Sequence, residues 1–424
     1  EWWDAQGDGS TNDSAAIQAA IDSVAGADGG TVQLMAKNYI CNIEMQRYVT
    51  LRGVYAGLAV TDGADVNAGT VLTANATGAV IDTPVATTTG MRIENLQVEG
   101  LGSGTACTGI RFRAVDRSEV TNVLIYNISD EGLLDEAGNN NTYSKIYTKN
   151  CLLDRTQAAK IGAVDITCTA VQMSEVEASS YSQSSLSDGN AYLCGIVIRG
   201  NRGTFSRCSG VDSDIGIHII GDYNRFEVCS ADGNYAHGWE LFDGAFGNQL
   251  TGCTASRNGA ETTNTYDGFN IDAFGNLFVG CYALSTGGNK HRYGFNDYSP
   301  VQTAPTLRNI YSGCRAYNPD TAEFLGTDNA GSSFPTANTN FFEFAEDDTT
   351  PTVASGVLFR TANANNITIT DFNGGTPGQR IYLLIDDDHT TIGGSPDIQG
   401  GGRLPTRSNL EDMLLSFTHV NGIW

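Results

Sequence analysis

A chain of 424 residues carrying a formal net charge of −24 is long enough for one large domain or for two to three ordinary ones. That acidity argues against a general nucleic-acid or anionic-membrane binder, which needs clustered Lys and Arg, and it suits the solubility of a large, edge-rich protein. No apolar run approaches the ~20 residues of a membrane span. No signal peptide opens the chain, and its start at Glu1 without Met leads us to expect that an upstream segment has been removed.

The first element is a helix. Asp13 stands as N-cap before Ser14, and Ile17, Ala20, Ile21 and Val24 share one face. Gly29 and Gly30 close the connection to a strand over Thr31–Leu34, and a helix followed by a lone strand can cover the open end of a stack of coils. From Asn42 to Gly100 strands alternate with turns, with Ile93, Leu96 and Val98 expected to face inward. Further strands follow at Gly109, Val120, Gly132 and Ile146, and polar turns such as Gly138-Asn-Asn-Asn141 separate them. The Ser-rich segment Ser174 to Asn190 reads as a loop protruding from one coil.

Between Leu193 and Tyr298 one pattern repeats: a glycine, an apolar residue, any residue, an apolar residue, then a turn. The copies begin at Gly195, Gly216, Gly238 and Gly268, with a weaker one at Gly294. After them come Cys208, Cys229, Cys253, Cys281 and Cys314, each preceded by five residues by Gly203, Asn224, Asn248, Asn276 and Asn309. Three features kept in register over roughly twenty to thirty residues mark stacked coils. Five cysteines in one register are expected as free, buried thiols filling a corner of the stack, since parallel side chains suit a disulfide poorly. No Cys-x-x-Cys pair suggests a metal site, and no cofactor is expected.

The run Gly7-Asp-Gly-Ser-Thr-Asn-Asp13, the helix and Gly29-Gly-Thr-Val-Gln-Leu34 together resemble the start of pectate-lyase-superfamily proteins. The coil pattern extends the resemblance to about residue 320. It implies an all-β fold: a single-stranded right-handed parallel β-helix with an N-terminal capping helix. That superfamily includes polysaccharide lyases, glycoside hydrolases and phage tailspikes, so the resemblance speaks for fold more than for chemistry. The expected organisation is a cap over 1–40, the β-helix over 41–326 and a connecting stretch over 327–352. A small C-terminal antiparallel β domain follows over 353–424. That last domain resembles those that hold three chains of a phage tail protein together, which implies a homotrimer, extracellular or virion-associated.

Alternation along each strand places the residues between the inward apolar pairs on the outer face. That stripe reads Val197, His218, Glu240, Asn270 and Asn296. Two positions on lie Arg199, Ile220, Phe242, Asp272 and Tyr298, and just before the glycines lie Cys194, Ile215, His237, Asp267 and Tyr293. Coils stacked ~4.8 Å apart bring these side chains into one patch. Glycoside hydrolysis needs two carboxyls across the scissile bond. Glu240 with Asp267 or Asp272 meets that need, and His218 and His237 are expected to orient them or share a proton. Arg199, Asn270, Phe242, Arg292, Tyr293 and Asn296 are expected to contact a polysaccharide substrate.

A lyase is the alternative reaction, with Arg199, Arg292, His218 and Tyr293 serving uronate neutralisation and proton transfer. A non-catalytic glycan-binding fibre or adhesin is the alternative class. Tyr293-Gly-Phe-Asn-Asp297 is similar to a motif of mannuronan C5-epimerases, but Asn296 stands where the motif has its Asp and the following Pro-His is missing. Arg111, Arg113 and Glu131 are candidates for a site between subunits, and Asp386–Asp388 reads as a solvated turn.

Overall fold

The computed structural model describes residues 4–54, 69–153, 161–180, 192–242, 244–259, 265–285, 291–298, 309–326, 342–344, 347–353, 358–361, 363, 365–374, 380–385, 389–392 and 413–418. The expected Asp386–Asp388 turn, most of the 327–352 stretch and the tip of the Ser-rich loop lie outside these residues. Two compact units divide the chain, Glu1–Phe334 and Pro335–Trp424.

In the first unit the helix runs from Ser14 to Gly26 and buries Ile17, Ala20 and Ile21. Asp13 stands at its N-cap and its backbone carbonyl accepts the N–H of Ile17 at 3.0 Å, but its side chain does not cap the helix. Its carboxylate turns back to accept the backbone N–H groups of Gln6 and Gly7 at 2.7 and 3.1 Å, while Asn12 Oδ1 accepts the N–H of Ser14 at 3.0 Å. The N–H groups of Gln6 and Gly7 thus take the carboxylate that the first turn of the helix would otherwise use.

From there the chain winds in coils, each strand pairing in parallel with its counterpart one coil away. Eleven strands form one all-parallel sheet, called here the long sheet, from Ile43–Glu44 through Leu193–Ile198, Ile215–Ile219, Trp239–Leu241, Phe269–Ile271 and Tyr293–Asp297 to Ala322–Gly326. A 20-stranded sheet and a three-stranded one form the other sides. The expected inward residues fill the interior: Ile196, Ile198, Ile217, Ile219, Trp239, Leu241, Phe269 and Ile271 are all buried in one continuous core. There Phe269 stacks on Phe295 at 4.5 Å and on Trp239 at 5.8 Å between ring centroids. The repeat glycine is set by close approach, because a Cβ on Gly238 would lie 2.8 Å from the carbonyl oxygen of Gly268 on the next coil.

The asparagine column forms a spine. The N–H groups of Gly203, Asn224, Asn248 and Asn276 each donate to the side-chain oxygen of the asparagine one coil further on, at 2.7–2.9 Å. It ends where Asn309 Nδ2 and Tyr311 OH donate to Asp297 Oδ2 at 3.1 and 2.7 Å. A second spine passes from Ser213 through Asn234 and Asn258 and ends on His291, whose Nε2 accepts the N–H of Asn258 at 3.3 Å. Burial, helped by the charge of His237, pushes the His291 imidazole down to about 3, so it stays neutral. All ten cysteines are free and buried.

The second unit has a small core of its own, around Val353, Phe359, Ile369, Phe372, Ile381 and Leu383. The antiparallel pairing expected there is found between Arg380–Ile385 and Met413–Thr418. The pairs Phe342–Glu343 with Leu358–Arg360, Leu358–Arg360 with Arg380–Ile385, and Ile367–Ile369 with Thr390–Ile392 are parallel. The reason lies in chain length: partners such as Phe359 and Leu383, or Ile367 and Thr390, are a whole coil apart, which is a crossover and not a hairpin.

Candidate functional site

Strand pairing fixes the register of the outer face of the long sheet. Val197 lies opposite His218, His218 opposite Glu240, Glu240 opposite Asn270 and Asn270 opposite Asn296. These residues face away from the core but are not solvated: His218 is 1% exposed, and Glu240, Asn270 and Asn296 are each 5% exposed. Next to them Cys194, Val197 and Ile215 form an apolar cluster separate from the main core. Buried polar groups need partners, and here they find them mostly in one another.

His218 and Glu240 face each other across adjacent strands. Nδ1 of His218 lies 2.8 Å from Oε2 of Glu240. The imidazole also tilts against the Phe242 ring at 5.8 Å between centroids. Phe242 itself is 37% exposed and marks the border of the buried patch.

Asp267 is the other node. Arg292 grips it with two bonds, Nε to Oδ1 at 3.1 Å and Nη2 to Oδ2 at 2.8 Å. The N–H of Tyr293 and Nδ2 of Asn296 donate to it at 3.2 and 2.8 Å. Its own N–H donates to Nδ1 of His237 at 3.0 Å, and the His237 ring meets Tyr266 edge-on. Both carboxylate oxygens of Asp267 are therefore engaged, and Arg292, lying 5.0 Å from the Tyr293 ring centroid, is held in place by it. Asp272 is only partly buried.

Tyr298 joins these two groups. It follows the strand Tyr293–Asp297, is 42% exposed, and its hydroxyl accepts a bond from Asn270 Nδ2 at 3.3 Å. Partial burial and the charges of Asp272, Glu240 and Asp267 hold its phenol above the usual value. The charges of all three carboxylates are felt at this one partly exposed side chain. Tyr298 stands on the predicted outer face; its place one coil from Asp267 and Asp272 and two coils from Glu240 makes it part of a site.

Arg199 sits further along the sheet and is bonded to Asp165, Nε to Oδ1 at 3.0 Å and Nη2 to Oδ2 at 3.0 Å. Burial raises the Asp165 carboxyl and Arg199 opposes that rise. Sequence reasoning missed Asp165, because Gly162 precedes it by three positions and the repeat glycines precede the outward residue by two. Arg111 and Arg113 both grip Asp82, and burial with the charges of Asp165, Asp130 and Glu136 pushes Glu131 up to about 7. Among the described residues no group of three or more His, Cys, Asp or Glu side chains is arranged to hold a metal ion. No helix among them is long and apolar enough to cross a membrane.

Parallel coils, a long outer sheet and a helix at the N-terminal end define the class: this chain has the right-handed parallel β-helix fold of pectate-lyase-like proteins. No family model and no curated protein matches its sequence. Among solved structures it is similar to the tailspike protein of Escherichia coli bacteriophage HK620 in complex with a pentasaccharide. The TM-score is 0.53 at 10% identity, covering 88% of this chain and 77% of that one. It is also similar to the A-module of a mannuronan C-5 epimerase from Azotobacter vinelandii, with a TM-score of 0.50 at 13% identity, covering 76% of this chain and 98% of that one. At such identities the likeness establishes the fold alone.

Proposed function

We propose that the chain is an extracellular or virion-associated enzyme that degrades polysaccharide, a glycoside hydrolase working from the outer face of the long sheet. The similarity to a tailspike bound to a pentasaccharide and to a mannuronan epimerase supports a glycan as the partner. The observation that carries the reading is the grouping of Glu240, Asp272 and Tyr298 on one outer face, where Glu240 lies opposite Asn270, Asp272 follows two residues on, and Tyr298 bonds Asn270. Clustered carboxylates with different degrees of burial are what separates an acid from a base on one surface.

The roles follow from the surroundings. Glu240, buried against His218, delivers a proton to the leaving glycosidic oxygen. Asp272, partly exposed and diagonal to Glu240 on the next strand, takes a proton from the water that attacks the anomeric carbon as the bond to the leaving oxygen breaks. Asp267 positions Arg292, Tyr293 and Asn296, and His237 fixes the backbone at Asp267. Arg199, Asn270 and Phe242 contact substrate. No cofactor enters this reaction. Three copies of the chain associate through the second unit, a reading that light scattering tests through the mass in solution.

Polysaccharide lyase is the second reading, favoured by the two guanidinium groups of Arg199 and Arg292 on the same face, which suit a uronate carboxylate. The third is a glycan-binding protein without catalysis. Incubation with a panel of bacterial capsular and O-chain polysaccharides separates them. New reducing ends without ultraviolet absorbance support hydrolysis, absorbance of an unsaturated uronate supports elimination, and retention on glycan without any product supports binding alone.

A further inference from the structure

One corner of the stack holds reactive side chains that the outer face of the long sheet does not use. Five times the chain passes from one strand of the 20-stranded sheet to the next over two residues: Arg207-Cys208, Val228-Cys229, Gly252-Cys253, Gly280-Cys281 and Gly313-Cys314. The first residue of each turn has a left-handed φ of 52–64°, and the cysteine after it is buried. Backbone bonds of 2.8–2.9 Å run from the N–H groups of Ser230, Thr254, Tyr282 and Arg315 to the carbonyls of Cys208, Cys229, Cys253 and Cys281, setting each cysteine one coil from the next. Every Sγ takes the same orientation, 3.5–3.8 Å from the carbonyl oxygen two residues before it, and successive thiols are in hydrogen-bond contact. The cover over them is one residue thick: Arg207 and Val228 are exposed, and the other three turns begin with glycine.

We propose that neighbouring thiols of this ladder bind a soft divalent cation, mercury(II), in line between two sulfurs on adjacent coils. Coils advance by ~4.8 Å. Two metal–thiolate bonds of about 2.3 Å laid end to end span about 4.6 Å, so a two-coordinate ion bridges one coil to the next with only a small turn of the side chains. Thiolate is a soft ligand and selects soft ions. Zinc takes four ligands in a closed site, and among the described residues no group of three or more His, Cys, Asp or Glu is arranged to hold a metal.

Charge separates a divalent ion from a monovalent one. On binding, two S–H bonds break, two sulfur–mercury bonds form and two protons leave to water; no electron is transferred. The product, one divalent ion with two thiolates, is neutral. A monovalent ion between two thiolates would leave a net negative charge among the apolar side chains that surround these cysteines. A bare ion reaches the thiols when one of the thin surface turns opens locally, where a larger reagent does not. Five thiols in a row make two pairs with one to spare.

The test counts mercury retained per folded chain after incubation with mercuric chloride and a wash with 2-mercaptoethanol, which strips ions held by a single thiol. Thiolate-to-metal absorbance in the ultraviolet is followed in the same samples. Cys229→Ala isolates Cys208 and leaves a run of three thiols, so it should retain one ion fewer than the parent. Cys253→Ala also removes one thiol but leaves two intact pairs, Cys208 with Cys229 and Cys281 with Cys314, so it should retain as many ions as the parent. Melting curves show that the variants are folded, and Cys229→Ser with Cys253→Ser, closer in size to cysteine, gives the same contrast where an alanine variant does not fold. Equal losses in the two variants, or a loss in neither, overturn the ladder site, because the ions are then held thiol by thiol or elsewhere. No mercury retained by the folded parent overturns it as well.

Discussion

Replacing Asn248 by Ala removes the middle of the asparagine spine. Its Oδ1 accepts the N–H of Asn224 at 2.8 Å, and its Nδ2 donates to the carbonyl of Gly221 at 3.0 Å and to Asn276 Oδ1 at 3.1 Å. Asn276 Oδ1 still receives the N–H of residue 248, but the Asn224 N–H and the Gly221 carbonyl lose these partners inside a buried corner. Each such loss costs about 1–3 kcal/mol, so the variant should be less stable by about 4 kcal/mol. Asn248→Asp keeps the acceptor for Asn224, yet it places a charge in the same corner and should also destabilise. The assay is urea unfolding followed by the emission of Trp239, which is buried on Phe269, with the exposed Arg225→Ala as a control expected within about 0.5 kcal/mol of the parent. A loss below about 1 kcal/mol for Asn248→Ala would refute the idea that the spine holds the coils in register.

Other outcomes follow from the same structure. His291 titrates at about 3 when folded and near 6.5 when exposed, so below that upper value the unfolded chain binds a proton that the folded chain refuses. Stability should fall by ~1.4 kcal/mol per pH unit from about 6.5 down to about 3, and His291→Asn, which keeps an acceptor for Asn258, should flatten this slope in acid unfolding curves. Burial pushes the Cys41 and Cys151 thiols up to about 12, and all ten cysteines are buried; a thiol reagent should label none in the native protein and all ten in denaturant. Phe269→Ala, which opens the ring stack between Trp239 and Phe295, should cost about 3–5 kcal/mol by the same urea assay.

Much of the fold is legible in the repeat itself. Glycines before Trp239 and Phe269, apolar residues two apart and an asparagine five before Cys229, Cys253, Cys281 and Cys314 reflect constraints that recur once per coil, and recurrence is what a sequence displays best. The same register places His218, Glu240 and Asn270 side by side, because a strand's period of two leaves no choice once one face is apolar.

What the sequence hides is what depends on a partner from elsewhere. Alternation says that Glu240 points outward; it does not say that the residue is shielded from water. Nothing local marks His291 as the end of a spine, since its role comes from Asn258 one coil away. Asp13 carries the chemistry of a helix cap, but the turn before it supplies better-placed donors. Asp165 is hidden by a one-residue shift of its glycine, and Tyr298, though its outward position is legible, owes its role to neighbours on other coils.

The central claim is that Glu240 and Asp272 cleave a glycosidic bond on the outer face of the long sheet. It is tested most directly by the rate of reducing-end release by Glu240→Gln and Asp272→Asn beside the parent protein, on a polysaccharide the parent degrades. Each variant should lose on the order of 10²–10⁴-fold in rate, the contribution of one general acid or base, while still binding the polymer. Parental rates in both variants would contradict the assignment and move the chemistry to another part of the molecule.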